Sequence, residues 1–201
     1  MQRDLSSMLL CGAMMAAISA VSMTAVPLAA QTAPAPGSGT LEVSVTYGAM
    51  LSNAITSQSF WMQGGSVEVD GLFYHGLSAV ADVGGMHTGN INASGVSLDM
   101  VTSVFGPRYT WAPAKRKYEF FGQGLLGVAN GFDGLFPAAN GAADSATSMA
   151  LEVGGGMNVR FSRRVALRAI EANWLRTQFP NSATNVQNNL RLGAGVVFRF
   201  R

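Results

Sequence analysis

From Thr40 onward the chain alternates hydrophobic and polar residues with a period of two, the repeat of a β-strand with one apolar and one polar face. In TLEVSVTYGAM, Leu41, Val43, Val45, Tyr47 and Ala49 share one face, and Glu42, Ser44, Thr46 and Gly48 share the other. The last segment, NLRLGAGVVFRF, repeats this: Leu190, Leu192, Ala194, Val196, Phe198 and Phe200 oppose Arg191, Gly193, Gly195, Val197 and Arg199. Between these ends, six further strands are predicted near residues 60–70, 77–86, 98–109, 118–129, 149–160 and 165–175.

The connectors alternate in length. Gly71 to Gly76, Thr110 to Lys117 and Phe161 to Arg164 are short, whereas Leu51 to Ser59, His87 to Ser97, Asn130 to Ser148 and Arg176 to Asn188 are longer and polar. Eight strands joined alternately by short turns and long loops predict an all-β fold: an eight-stranded antiparallel up-and-down transmembrane β-barrel with short periplasmic turns and longer extracellular loops. A further strand would have to come from residues 130–148, where no alternation is visible. Strand seven, VALRAIEANWL, departs from the pattern, because Arg168 and Glu171 fall on opposite faces under strict alternation. A bulge there, or Glu171 placed above the hydrocarbon band, keeps the carboxylate out of lipid.

The two faces decide between a soluble and a membrane barrel. Glu42, Glu68, Asp70, Asp82, Glu152, Arg160, Arg191 and Arg199 share the face carrying small residues, and an eight-stranded barrel has an interior just wide enough for side chains to fill. Charges of both signs pair inside such a space, which leaves a continuous Leu, Val, Ala and aromatic exterior for lipid to cover. Phe60, Trp61, Tyr109, Trp111, Tyr118, Trp174, Phe198 and Phe200 fall near strand ends, where aromatic girdles form. Composition agrees: the 201 residues are 48% hydrophobic but only 12% charged, with 24 glycines, many of them in the strands of a sharply curved sheet.

The N-terminal thirty residues have a separate role. Arg3 precedes an uncharged apolar run from Leu5 to Ala25, and Ala29 and Ala30 follow Pro27, so residues 1–30 are predicted to be a signal peptide. The single cysteine, Cys11, lies inside it, and the mature chain is therefore expected to hold no thiol. Residues 31–39, QTAPAPGSG, have the composition of a flexible periplasmic tail, and residues 40–201 form the barrel domain.

The signal peptide, the alternating strands and the terminal GAGVVFRF resemble the OmpA-like or opacity-porin group of outer-membrane β-barrel proteins, as do VFGPRYTW and GGGMNVRFSRRVALRAIEANWL. The resemblance implies location in the bacterial outer membrane, outer-membrane lipid as surroundings, and recognition by the barrel assembly machinery through Gly195, Phe198 and Phe200. Arg201 after the terminal aromatic and Gly193 at a usually polar position depart from that signal. Some barrels of this size modify lipid A with a rim histidine, which makes His87, with Ser94, Ser97 or Asp99, the residue to inspect.

No catalytic, cofactor or metal site is expected. Histidines 75 and 87 have no compact partner motif in the sequence, and Asn130, Asp133, Asn140 and Asp144 lack the dense oxygen spacing of a calcium loop. Lys115, Arg116, Lys117, Arg163, Arg164 and Arg201 all fall at predicted periplasmic turns or the terminus, a bias that suits anionic lipid headgroups better than nucleic acid. The sequence thus predicts a non-enzymatic structural or surface-interaction barrel. The alternatives are a narrow porin-like channel or small hydrophobic-solute conduit and, third, an outer-rim lipid A-modifying hydrolase.

Overall fold

The computed structural model describes residues 40–53, 59–91, 96–113, 117–138, 141–181 and 184–200. The expected signal peptide and tail, together with Ser94, Lys115, Arg116, Asn140 and Arg201, lie outside the described residues. The eight long strands are β1 (Leu41–Ser52), β2 (Phe60–Tyr74), β3 (Leu77–Thr88), β4 (Leu98–Trp111), β5 (Tyr118–Phe132), β8 (Ala146–Arg160), β9 (Val165–Thr177) and β10 (Gln187–Phe200). They form one closed barrel in which every neighbour is antiparallel. Closure is made by β1 on β10, in unbroken register from Leu41 opposite Phe200 to Leu51 opposite Leu190. The strands fall where alternation places them because the barrel has one face for each phase of that period.

Two connections differ from expectation. Gly71 does not end β2: Leu72 N donates to Thr40 O at 3.0 Å, and the strand runs on, through an irregularity between Leu72 and Tyr74, to a turn at His75 and Gly76. Both turn residues have positive φ, 38° and 88°, the backbone of a two-residue hairpin turn whose twist suits antiparallel strands. Within residues 130–148, the short strands β6 (Phe136–Ala138) and β7 (Gly141–Ala143) pair only with each other, in a hairpin outside the barrel sheet. At the third short connection, Ser162 Oγ accepts from the backbone N–H groups of Arg164 (3.2 Å) and Val165 (3.0 Å), which ties the turn together.

The bulge expected in β9 is present. Across the β8 pairing Met157 faces Ile170 and Asn158 faces Arg168, while on the β10 side Gly193 faces Glu171 and Gly195 faces Arg168, so Ala169 is the extra residue. Both Arg168 and Glu171 consequently point inward, 1% and 3% exposed.

Outside, Val45, Val67, Val83, Phe105, Leu126, Val153, Ile170 and Leu192 are exposed and form a continuous apolar wall. Tyr74, Tyr109, Trp111, Tyr118, Phe120, Phe161, Phe198 and Phe200 ring the end that carries the short turns. A surface of this extent on a closed barrel is stable against lipid, where every backbone polar group is already paired. Phe60 is the exception among the expected girdle aromatics, being 4% exposed and packed inside the barrel.

Candidate functional site

The interior has two storeys. Nearer the turn end lies an ion network with members from every strand. Glu68 on β2 accepts from Ser44 Oγ (2.9 Å), Arg108 Nη1 (2.7 Å) and Arg168 Nη2 (2.8 Å), and a second bond from Arg108 makes that pair bidentate. Arg108 also reaches Asp70 (3.2 Å) and Gln123 (3.0 Å); Arg168 reaches Glu171 (2.8 Å) and Asn158 (3.3 Å). Both guanidinium groups lie over the Phe121 ring, 4.3 and 4.7 Å from its centroid, so a buried aromatic face supplements the carboxylates. Beside this cluster, Arg191 Nη2 donates to Asp82 (2.7 Å) and Glu152 (2.9 Å). At the turn-end rim, Arg199 bridges Glu42 (2.7 Å) and Glu119, and Arg160 meets Glu119 at 3.3 Å.

All the charged residues predicted for the inner face take part in these pairs, although Arg160 and Glu42 sit at the partly exposed rim. Sequence reading omitted Arg108, Glu119, Gln123 and Asn173. Arg108 follows Gly106 and Pro107 at a point where alternation is hard to see, yet its phase matches Val104, Thr102 and Met100, all inward.

In the central network, Glu68, Asp70, Asp82, Glu152 and Glu171 face Arg108, Arg168 and Arg191, so carboxylates outnumber guanidinium groups. Asp82 Oδ1 and Glu152 Oε2 have no hydrogen-bond partner. Glu68, Asp82 and Glu171 offer carboxylate oxygens within 4.8 Å of one another, a spacing that a metal ion could bridge. Arginines already donate to all three carboxylates and supply the positive charge an ion would bring. A small cavity bordered by Thr46, Tyr47, Ser66, Glu171, Arg191 and Leu192 has a volume of about 10 Å³, room for about one water molecule.

Toward the loop end, part of the interior turns apolar. Met50, Met62, Met86 and Met100 come from four successive strands, with Met50 opposite Met62 and Met86 opposite Met100. Ile91, Phe136 and Phe179 close over them from three different connections, the two phenyl rings 5.5 Å apart. Gly131 and Gly134 leave the room in which the Phe136 ring sits. Beside this cap, Thr177, Gln187, Asn189 and Ser52 form a neutral hydrogen-bonded cluster. At the same level the outer surface becomes polar, with Gln63 opposite His87, His87 opposite Asp99, and Asn130 opposite Thr147. This collar is partial: Trp61 and Leu190 remain exposed apolar groups on the outer face of the loop-end half, and the inner face there combines the methionine cap with the neutral polar cluster.

His87 lies in that collar with its Nδ1 2.6 Å from Asp99 Oδ1. The structure thus brings together one of the suggested pairs, but no described serine hydroxyl hydrogen-bonds to the ring. His75 sits in the first turn, its ring edge-on to Tyr74 at 4.3 Å. Asp133 lies in a left-handed turn with φ of 55°, and Asn130 is held by Thr147 Oγ1 at 2.8 Å.

Comparison with solved structures places this architecture. Neisserial surface protein A is similar over 83% of this chain and 100% of its own, with a TM-score of 0.61 and 15% identity. The fold is that of the eight-stranded outer-membrane barrels. The attachment invasion locus protein Ail of Yersinia pestis is similar over 81% of this chain and 99% of its own (TM-score 0.54, 16% identity). The outer-membrane protein OprG of Pseudomonas aeruginosa is similar over 82% and 97% (TM-score 0.50, 7% identity). No protein-family model matches the sequence, and no curated protein matches it.

Proposed function

We propose that this protein is a bacterial outer-membrane barrel without enzymatic activity, whose filled interior makes it a rigid mount for surface-interaction loops. The observation that carries this reading is the interior: an arginine–carboxylate network toward the turn end and a cap of methionine and phenylalanine at the loop end. Buried ion pairs across a barrel this narrow, beneath an apolar cap, occupy the space that a hydrated ion or solute would need. The short turns then face the periplasm and the long loops the exterior, as in other barrels of this kind. Two of the similar structures belong to proteins named for the cell surface and for attachment and invasion, which supports a role for the loops. Gly195, Phe198 and Phe200 supply the terminal pattern that assembly machinery would read during insertion; Phe198 and Phe200 both point outward.

Planar-bilayer recording of the refolded protein tests the filled interior. The expected result is no unitary conductance. Stable single-channel steps would replace this reading with a narrow pore, and loss of a lipid A acyl chain dependent on His87 would replace it with a hydrolase built on the His87–Asp99 pair.

A further inference from the structure

The turn end carries basic groups that the ion network does not use. The acids at this rim, Glu42 and Glu119, are taken by Arg199 and Arg160, whereas Arg163 and Arg164 make no ion pair among the described residues. Both are exposed, and their turn is ordered by Ser162 Oγ and by Arg199 N, which donates to Arg164 O at 2.8 Å. They border an open groove of about 660 Å³ whose other walls are Val165, Phe198, Phe200 and Arg199, the last already paired with Glu42 and Glu119. The two phenylalanines belong to the lipid-facing wall, 42% and 54% exposed. Among the described residues the loop end shows the opposite balance, with Asp99, Asp133 and Asp144 against Arg176.

A groove with two uncompensated guanidinium groups on its aqueous lip and two aromatic faces below them has the amphipathic layout of one phospholipid. The phosphate fits the planar donor fork of arginine, and acyl chains lie along the phenyl rings. We propose that Arg163, Arg164, Phe198 and Phe200 form a binding site for an anionic glycerophospholipid of the periplasmic leaflet. This rests on the outer-membrane reading above and adds a selective lipid contact to it. A nucleic acid or a soluble polyanion would need a broad basic face with stacking aromatics turned to water. Here the aromatics turn to lipid.

Native mass spectrometry of the full chain refolded in detergent, with phosphatidylglycerol or phosphatidylcholine added, measures this contact. The protein is expected to retain phosphatidylglycerol preferentially. Arg163→Gln or Arg164→Gln alone should lower that retention about fivefold, and the double variant about thirtyfold, since each arginine near a lipid surface contributes about 1 kcal/mol. Arg176→Gln at the loop end should leave it unchanged. Equal retention of both lipids, or undiminished phosphatidylglycerol on the double variant, would overturn the proposal. So would displacement of the lipid by inorganic phosphate at the same concentration, which would mark a free-anion site. Heat-dependent gel migration reports barrel folding separately: loss of that shift sinks the barrel itself, and an intact shift without lipid preference sinks only the lipid site.

Discussion

Arg191 shows how much depends on single side chains in the barrel interior. It donates to Asp82 and Glu152 from one nitrogen, and both carboxylates are about 1% exposed or less. Removing the guanidinium strands two charges where water cannot reach them, so Arg191→Met is expected to cost about 3–5 kcal/mol in urea unfolding followed by tryptophan fluorescence. Glu152→Gln keeps an acceptor for Arg191 and removes one surplus negative charge; its unfolding free energy should stay within about 1 kcal/mol of the native chain. Glycines divide in the same way. A Cβ at Gly127 would lie 2.0 Å from Ser103 O on the adjacent strand, whereas one at Gly85 would meet nothing within 4 Å. Gly127→Ala should therefore destabilise by about 3 kcal/mol and Gly85→Ala by less than about 0.5 kcal/mol in the same assay.

At the scale of an element, β9 is the instructive strand. Arg168 and Glu171 are three apart, and their shared inward orientation conflicts with a period of two unless one residue is extra. The spacing announced an irregularity, but its position at Ala169 came only from pairing with β8 and β10. Deleting Ala169 removes the bulge and leaves Arg168, Glu171, Asn173 and Leu175 in one phase; this variant should still fold, with native heat-dependent migration on a gel. Deleting Ala172 leaves no register that keeps both Glu171 and the residues above it inward. That variant should fail to fold, and native-like migration from it would contradict the assigned register. Where β2 ends was less legible. Gly71 looks like a turn residue by composition, yet the turn is made by His75 and Gly76, because a ladder bond from Leu72 to Thr40 extends the sheet.

At the scale of the whole molecule, methionines enter the inward phase of β1 to β4 at the level where Gln63, His87 and Asp99 take the outward phase, and this side of the barrel is where the lipid boundary is expected to fall. Val83 and His87 both point outward from β3, two inter-residue steps of the same face apart, with Val83 in the apolar wall and His87 in the polar collar beside Asp99. In a chain lacking residues 1–30, which removes Cys11, His87→Cys should react with a water-soluble maleimide in lipid vesicles and Val83→Cys should not. Equal reactivity would move the membrane boundary. A clue to this boundary was in the sequence all along: methionines at 50, 62, 86 and 100 occupy the polar phase of their strands, and Gln63, His87 and Asp99 the apolar phase. Read strand by strand, these look like lapses in alternation; only the barrel lines them up at one level.

The sequence by itself determined the eight barrel strands, the alternation of short and long connections and the inward direction of most charges, because a period of two and turn composition are local properties of the chain; the β6–β7 hairpin, with no alternation to show it, was not legible. The tertiary structure decided which charges meet. Glu68 and Arg168 are 100 positions apart and bond at 2.8 Å, a proximity that closure of β1 on β10 and the stagger of the strands create and no local pattern encodes. It also decided which inward side chains share a level, since that depends on how eight strands curve around them together.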